Sequence, residues 1–340
     1  MIEVFCDNCE KIYPCEPVNE YTLNIRGDKI TIPVRMYKCS NCGDIFNADD
    51  FQEDIYDKAY RIYRDKHGMI QPEEIKKLRK KYHLTQQELS DILGIGIASI
   101  NRYENGSLQE KSHDNLLQAL KNPEDLLKLL EKSKNKISKK KYIKIKEAIL
   151  QQLDNNLLEK FYSLEQKINF YNEKFRGNNQ FSIKKFIGLI CHILKRASKL
   201  NAHVPKTKLN KLLFYCDFIF YKNHNRSITG MIYARLPYGP CPEKYQTIYG
   251  ELIDNKIIDI EEITYNDDSV KEIYKLNNEA FNYDFSIEEE KVINEVIDNL
   301  VKKTSSELSD ISHKEEGYIK TENGKFIDYN FAKNIKVLKN

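Results

Sequence analysis

Two Cys-x-x-Cys pairs, Cys6/Cys9 and Cys39/Cys42, constrain the fold of this 340-residue chain more than any other feature. Two thiolates two residues apart can hold one metal ion, and four at this spacing close a tetrahedral shell that suits zinc. Gly43, directly after the second pair, suits a tight turn under a ligand. Four protein ligands leave no open position for water, so the expected ion is structural, one Zn2+ per chain, held by Cys6, Cys9, Cys39 and Cys42. The 29 residues between the pairs carry two alternating segments, 21–25 and 29–34, joined through Gly27-Asp28. That is the pattern of a hairpin. A segment of about 50 residues buries little core, so metal binding is expected to supply most of its folding energy, on the order of 10 kcal/mol.

Disulfides are the weaker reading of the same cysteines. No secretory signal and no apolar run near 18 residues is present, which points to a reducing, cytoplasmic compartment and away from a membrane. Cys15, Cys191, Cys216 and Cys241 lack ligand spacing and read as packing residues.

A helix-turn-helix pattern follows. Pro72 suits a first helical position, and Ile75, Leu78, Arg79 and Tyr82 then fall on one face. Thr85 and Glu88 make a capping-box pattern, Leu89, Ile92 and Leu93 a buried stripe, Gly94-Ile95-Gly96 the turn, and residues 97–103 a second short helix. In such a pair the second helix enters the major groove. Gln86 lies in the first turn of its helix, where an amide and free backbone N–H groups can meet a phosphate. Ser99, Asn101 and Arg102 are polar on the recognition helix, where Asn can pair with adenine and Arg with guanine.

The segments 84–89, 93–94 and 101–106 resemble the signature of Xre-type repressors. With the cysteine pairs ahead of them, residues 1–130 resemble the MqsA-type antitoxins, in which an N-terminal zinc domain precedes such a helix-turn-helix. The resemblance implies a homodimer that represses its own operon on double-stranded operator DNA. Arg102 falls on a base-reading arginine of that type, whereas the base-reading asparagine is Ala98 here. The zinc domain of such relatives itself meets the toxin.

Charge divides the chain. Residues 1–66 carry net −4, 67–130 carry 0, 131–176 carry +6 and 177–340 carry +1. An acidic zinc module is repelled by phosphates and is a poor main DNA contact. The basic stretch, with Lys132, Lys134, Lys136, Lys139, Lys140 and Lys141, reads equally as a solvated linker or as a tether that touches phosphates. From 143 to 175 apolar residues recur at steps of three and four, from Ile145 to Tyr171. This predicts one long helix, packed on its own domain or forming a dimer seam, and ended by Gly177.

The last 160 residues read as mostly helical with some strand. Helices are expected over 183–200, 208–221, 243–255 and 286–302, with Ser286 as an N-cap. A β-type run spans 230–240, and 257–263 can pair with 272–276. Lys208 to Asp217, Ala234, Tyr238-Gly-Pro240 and Ser305 to His313 resemble the Panacea, or SocA-like, domain of many antitoxins. The proline and tryptophan that usually follow the histidine are Gly317 and Tyr318 here. The resemblance implies binding of a cognate protein toxin; no toxin-binding residue is identified by sequence.

No catalytic residue is expected. His192, His203, His224 and His313 are far apart, and no nucleophile motif, phosphate-binding glycine loop or HExxH helix is present. Asp217 and His313 are the pair that could meet in space. The expectation is a multi-domain, mainly α protein: a β-rich zinc-ribbon domain over 1–66, an all-α Xre-type helix-turn-helix domain over 67–132, a basic helical connector over 133–182, and a mostly α Panacea domain with a small β element over 183–340. The expected function is that of a type II antitoxin. The alternatives are a transcriptional regulator whose C-terminal domain senses a ligand or partner, and a proteolytic adaptor.

Overall fold

The computed structural model describes residues 2–47, 54–264, 270–277, 281 and 283–337. The chain divides into two compact units, residues 1–152 and 153–340. It is multi-domain and mainly α, with a small antiparallel sheet at the N-terminus.

The first unit opens with strands β1 (Ile2–Cys6), β2 (Lys11–Ile25), β3 (Asp28–Cys39) and β4 (Ile45–Phe46), antiparallel in that order. Ile25 pairs with Asp28, so the hairpin turn is Arg26-Gly27, one residue earlier than the sequence suggests. Both turn residues have positive φ, 52° and 93°, as a two-residue hairpin that matches strand twist requires. The Asn24 side chain holds the turn by accepting from the Gly27 N–H at 2.9 Å.

A register shift between Val18 and Glu20 splits this hairpin into two ends. At the turn end, Ile25, Ile30, Ile32, Val34 and Met36 pack against Ala59 and Tyr63 of α1 (Ile55–His67). At the other end, Cys6, Cys15 and Cys39 form a separate buried cluster. The sheet thus has an apolar core of its own, supplied by a helix beyond the 50 residues that the cysteines suggest.

Four short helices follow: α2 (Pro72–Lys81), α3 (Gln86–Leu93), α4 (Ile97–Glu104) and α5 (Lys111–Gln118). Pro72 opens α2, the Thr85/Glu88 capping box opens α3, and Gly94 in the left-handed conformation closes it. Helix α6 (Pro123–Lys132) and the first half of α7 (Lys139–Lys160) complete the unit. Arg64 of α1 is fully buried; it donates to the Gln109 side chain and to the carbonyls of Gly106 and Ser107, which bolts the sheet-bearing segment onto the loop after α4.

The second unit is built round α11 (Lys206–His224), of which residues 208–221 are all buried. The long helix expected over 143–175 is instead three pieces: α7 ends at Lys160, and α8 (Tyr162–Asn169) and α9 (Glu173–Arg176) follow. The first break falls at Phe161, and polar side chains make the second. Asn169 both accepts from and donates to the backbone of Phe181, and Asn172 caps α9. Leu157, Phe161 and Ile168 join the core of this unit, so the segment read as a connector supplies core residues.

Helix α10 (Ile183–Lys199) precedes α11, and hairpin β5 (Tyr233–Leu236) with β6 (Gly239–Pro242) follows it. Then come α12 (Tyr245–Asp254), the antiparallel pair β7 (Ile258–Thr264) and β8 (Val270–Leu276), α13 (Ile287–Leu300), α14 (Ser305–His313) and α15 (Glu316–Lys320). Helices α10, α13 and α14 and strand β6 all pack on α11. Among the described residues, no helix is long and apolar enough to cross a membrane.

Candidate metal centre and nucleic-acid interface

The two cysteine pairs converge. The Sγ atoms of Cys6, Cys9, Cys39 and Cys42 all lie within 4.8 Å of one another, with Cys6 and Cys42 3.6 Å apart. A tetrahedral zinc with metal–sulfur bonds of about 2.3 Å needs sulfur–sulfur edges of about 3.8 Å, so the donor set fits the ion in number, type and spacing. Each pair sits on a knuckle whose backbone turns back: the Cys9 N–H donates to the Cys6 carbonyl, and the Gly43 N–H to the Cys39 carbonyl. Asn41 donates to the Cys9 sulfur at 3.3 Å.

Burial pushes the Cys6 thiol up to about 12, while the Asp44 backbone holds the exposed Cys42 down at about 6. Four thiolates this close repel one another unless a cation lies among them. Cys15 is buried beside them, but its Sγ donates to the Tyr13 carbonyl and lies outside the group of four.

In the helix-turn-helix, the α3 and α4 stripes are buried by Leu89, Ile92, Leu93, Ile100 and Tyr103. Asn101 and Arg102 are exposed on α4, and Ser99 is half-buried. Arg102 donates to the Ser99 hydroxyl at 3.2 Å, so these two form one polar group on the outer face. Ala98 and Ile97 are exposed in the first turn of the same helix. An isoleucine at a helix start usually packs inward, so its sequence position does not mark Ile97; in the structure it joins the outer face.

Gln86 occupies the first turn of α3, as its sequence position requires, but its amide is engaged. It donates at 2.8 Å to Glu104, which also receives two bonds from Arg79, at 2.6 and 2.9 Å. Glu104 is 2% exposed. Burial by itself would raise this carboxyl, but the Arg79 and Gln86 hydrogen bonds outweigh it and leave Glu104 below the usual glutamate range. The Arg79–Glu104 pair fastens α2 to the end of α4 and so fixes the angle of α4. Sequence gives each residue but not the pairing, since 25 positions separate them.

In the second unit, the residues that carry the Panacea resemblance form a buried polar spine. Asp217 accepts four bonds, from the N–H groups of Ile228 and Thr229 and the hydroxyls of Thr229 and Tyr233. Asn210 accepts from the Tyr249 hydroxyl, and Lys208 donates to the Val301 carbonyl. Lys211 is fully buried with the Pro240 carbonyl 3.4 Å away, and burial brings its ammonium down to about 8. Asp217 and His313 have different partners: the His313 ring stacks on Tyr318 with centroids 4.5 Å apart.

Tyr318, in the place of the usual tryptophan, donates its hydroxyl to the Leu236 carbonyl and carries the Arg235 guanidinium 4.6 Å from its ring centre. Gly317, in the place of the usual proline, is tight against neighbours: a Cβ there would lie 2.9 Å from Ile327 and 3.0 Å from Phe331. Tyr238, at the hairpin tip, is 75% exposed.

The two units match two separate families of bacterial antitoxins. The chain belongs to the MqsA antitoxin family. Residues 4–131 match the family model described as the antitoxin component of the bacterial toxin-antitoxin system, MqsA. Antitoxin MqsA of Escherichia coli (strain K12) is 32% identical over 109 residues, 31% of this chain and 81% of that protein. Residues 209–318 match a second model, the antitoxin SocA-like Panacea domain. No solved structure matches the chain.

Proposed function

We propose that this chain is the antitoxin of a type II toxin-antitoxin system, which neutralises a cognate protein toxin through residues 183–340 and represses its own operon as a homodimer through the helix-turn-helix. One observation carries the reading: the two antitoxin-family matches cover 4–131 and 209–318 without overlap, and each lies within a different compact unit. Cys6, Cys9, Cys39 and Cys42 hold one structural zinc that fixes the metal end of the sheet. Ser99, Asn101 and Arg102 read bases, and Gln86 faces the backbone from the first turn of α3. The role is one of binding, not catalysis, and its place is the cytoplasm. In cells, the full chain co-expressed with the toxic reading frame beside its gene should restore growth. Growth arrest unchanged by well-expressed full chain would refute the antitoxin role.

The second reading, a regulator whose C-terminal domain senses a ligand, is favoured by a half-open cavity of about 660 Å³ in the second unit. Lys195, Lys199, His203 and Lys275 line it, no carboxylate does among the described residues, and its size is that of a small-molecule site. That reading predicts no rescue by the full chain and an operator affinity that responds to a small anion.

A further inference from the structure

The basic stretch after the helix-turn-helix lies almost wholly beyond the segment that matches the MqsA model, which ends at residue 131. Residues 1–130 carry net −4, and all of the excess positive charge of the following stretch, net +6, lies in residues 131–152. Those residues belong to the first compact unit. Four thiolates around one zinc would add a further net −2, so the sheet and helix-turn-helix without this stretch form an acidic body that DNA repels.

This stretch is not a free linker. Tyr142, Ile145 and Ile149, at helical spacing on α7, are buried. Lys134 lies over the Tyr142 ring at 5.5 Å, and Lys146 pairs with Glu131 of α6 at 2.8 Å. Lys141 pairs with Glu88 at 3.1 Å. Glu88 is the capping-box residue of α3, so the start of α7 lies beside the N-terminal turn of α3, which also carries Gln86. Lys139, Lys140 and Lys144 are exposed, and no carboxylate pairs with them among the described residues.

Their position is also electrostatically adverse. The first turn of α7 holds lysines and no acidic residue. Cations at that end oppose the helix dipole. A merely solubilising surface gains nothing from lysines placed there, whereas a surface that meets a polyanion does.

We propose that the start of α7, through Lys139, Lys140 and Lys144, is a second DNA-contacting element that binds backbone phosphates beside the N-terminus of α3. This rests on the DNA-binding reading of the helix-turn-helix and extends it past the family's own boundary. Base choice stays with α4, and α7 supplies sequence-independent affinity.

The test is the salt dependence of DNA binding by the full-length protein. Two short duplexes serve as probes, one from the DNA upstream of its own gene and one of random sequence. Each phosphate contact contributes about 0.9 to the slope of log affinity against log salt. The variant Lys139→Ala/Lys140→Ala/Lys144→Ala should therefore flatten the slope by about 2.7, so that wild type loses about 40-fold more affinity than the variant between 50 and 200 mM salt. The loss should be equal on both duplexes, with helicity kept and the melting temperature unchanged or raised. A control variant with Lys167, Lys291 and Lys302 of the second unit changed to alanine should keep the wild-type slope. An unchanged slope in the α7 variant, or an equal change in the control, overturns the proposal while leaving the helix-turn-helix reading intact. Wild-type protein that binds neither duplex overturns both.

Discussion

Replacing Arg79 with leucine should loosen the helix-turn-helix from inside. Arg79 gives Glu104 two hydrogen bonds and gives the Leu84 carbonyl a third, at 2.9 Å. In Arg79→Leu the carboxylate remains 2% exposed in wild-type terms, with the Gln86 amide as its remaining partner. Breaking a buried pair from one side leaves an uncompensated charge and costs about 3–5 kcal/mol, a large share of the 5–15 kcal/mol that holds a typical domain. The sign of the pH effect follows from the wild-type shift. Glu104 is held below its usual range, so the pair stabilises above the unfolded value near 4.5 and is lost as pH falls through the lower folded value. Without Arg79, burial acts unopposed and favours the neutral acid. The gap between wild type and variant should therefore be widest at pH 7 and close toward pH 4. Hydrogen exchange of α2 and α4 amides in the full chain reads the opening free energy directly. The double variant Arg79→Leu/Glu104→Leu should recover most of the loss. A cost below about 1 kcal/mol at pH 7, or a gap that widens on acidification, would refute the reasoning.

Metal analysis of protein purified without chelator should give one zinc per chain, and Cys39→Ser should abolish it; because the bulge at Val18/Glu20 separates the two ends of the hairpin, exchange protection should vanish from β1 and β4 yet persist at residues 29–34 against α1. Arg102→Ala should cost about 1–3 kcal/mol on operator DNA in a shift assay and relax preference at one base pair. Gln86→Ala should weaken binding on all sequences alike, and it should also lower stability, since it removes a bond to Glu104. Lys211 is brought down to about 8 by burial, so between pH 8 and 10.5 the unfolded chain binds the extra proton and stability rises with pH. Lys211→Met should therefore stabilise the second unit by up to about 3 kcal/mol at pH 7, with the gain fading by pH 10, as urea unfolding at the two pH values would read.

Local chemistry made much of this legible in the sequence. Two Cys-x-x-Cys pairs have the spacing of one four-thiolate site, and their four thiols do converge. The Thr85/Glu88 pattern is a capping box because three residues separate an N-cap from N3 in any helix, and Ser286 is an N-cap as its position predicts, with Glu289 completing a box there. The pairing of 257–263 with 272–276 follows from alternation, and β7 and β8 do pair there. The three-way break of the expected long helix was not legible, because apolar steps of three and four stay in phase whether a helix runs on or bends. Asn169 and Asn172 made the second break by bonding to backbone, a choice set by where Phe181 returns in space. The Arg79–Glu104 and Arg64–Gln109 bonds were hidden for the same reason: the partners are 25 and 45 positions apart. The sheet's second core went unread because its covering helix, α1, lies past the segment that the cysteines delimit.

Isothermal titration of purified toxin, from the reading frame beside the gene, into each half of the chain tests the central claim most directly. The halves should be 1–152 and 153–340, since Leu157, Phe161 and Ile168 belong to the core of the second unit. The account predicts saturable binding by residues 153–340, as tight as that of the full chain, and none by residues 1–152. Binding by 1–152 alone, with 153–340 folded but inert, would contradict it and move toxin recognition to the zinc-bearing sheet.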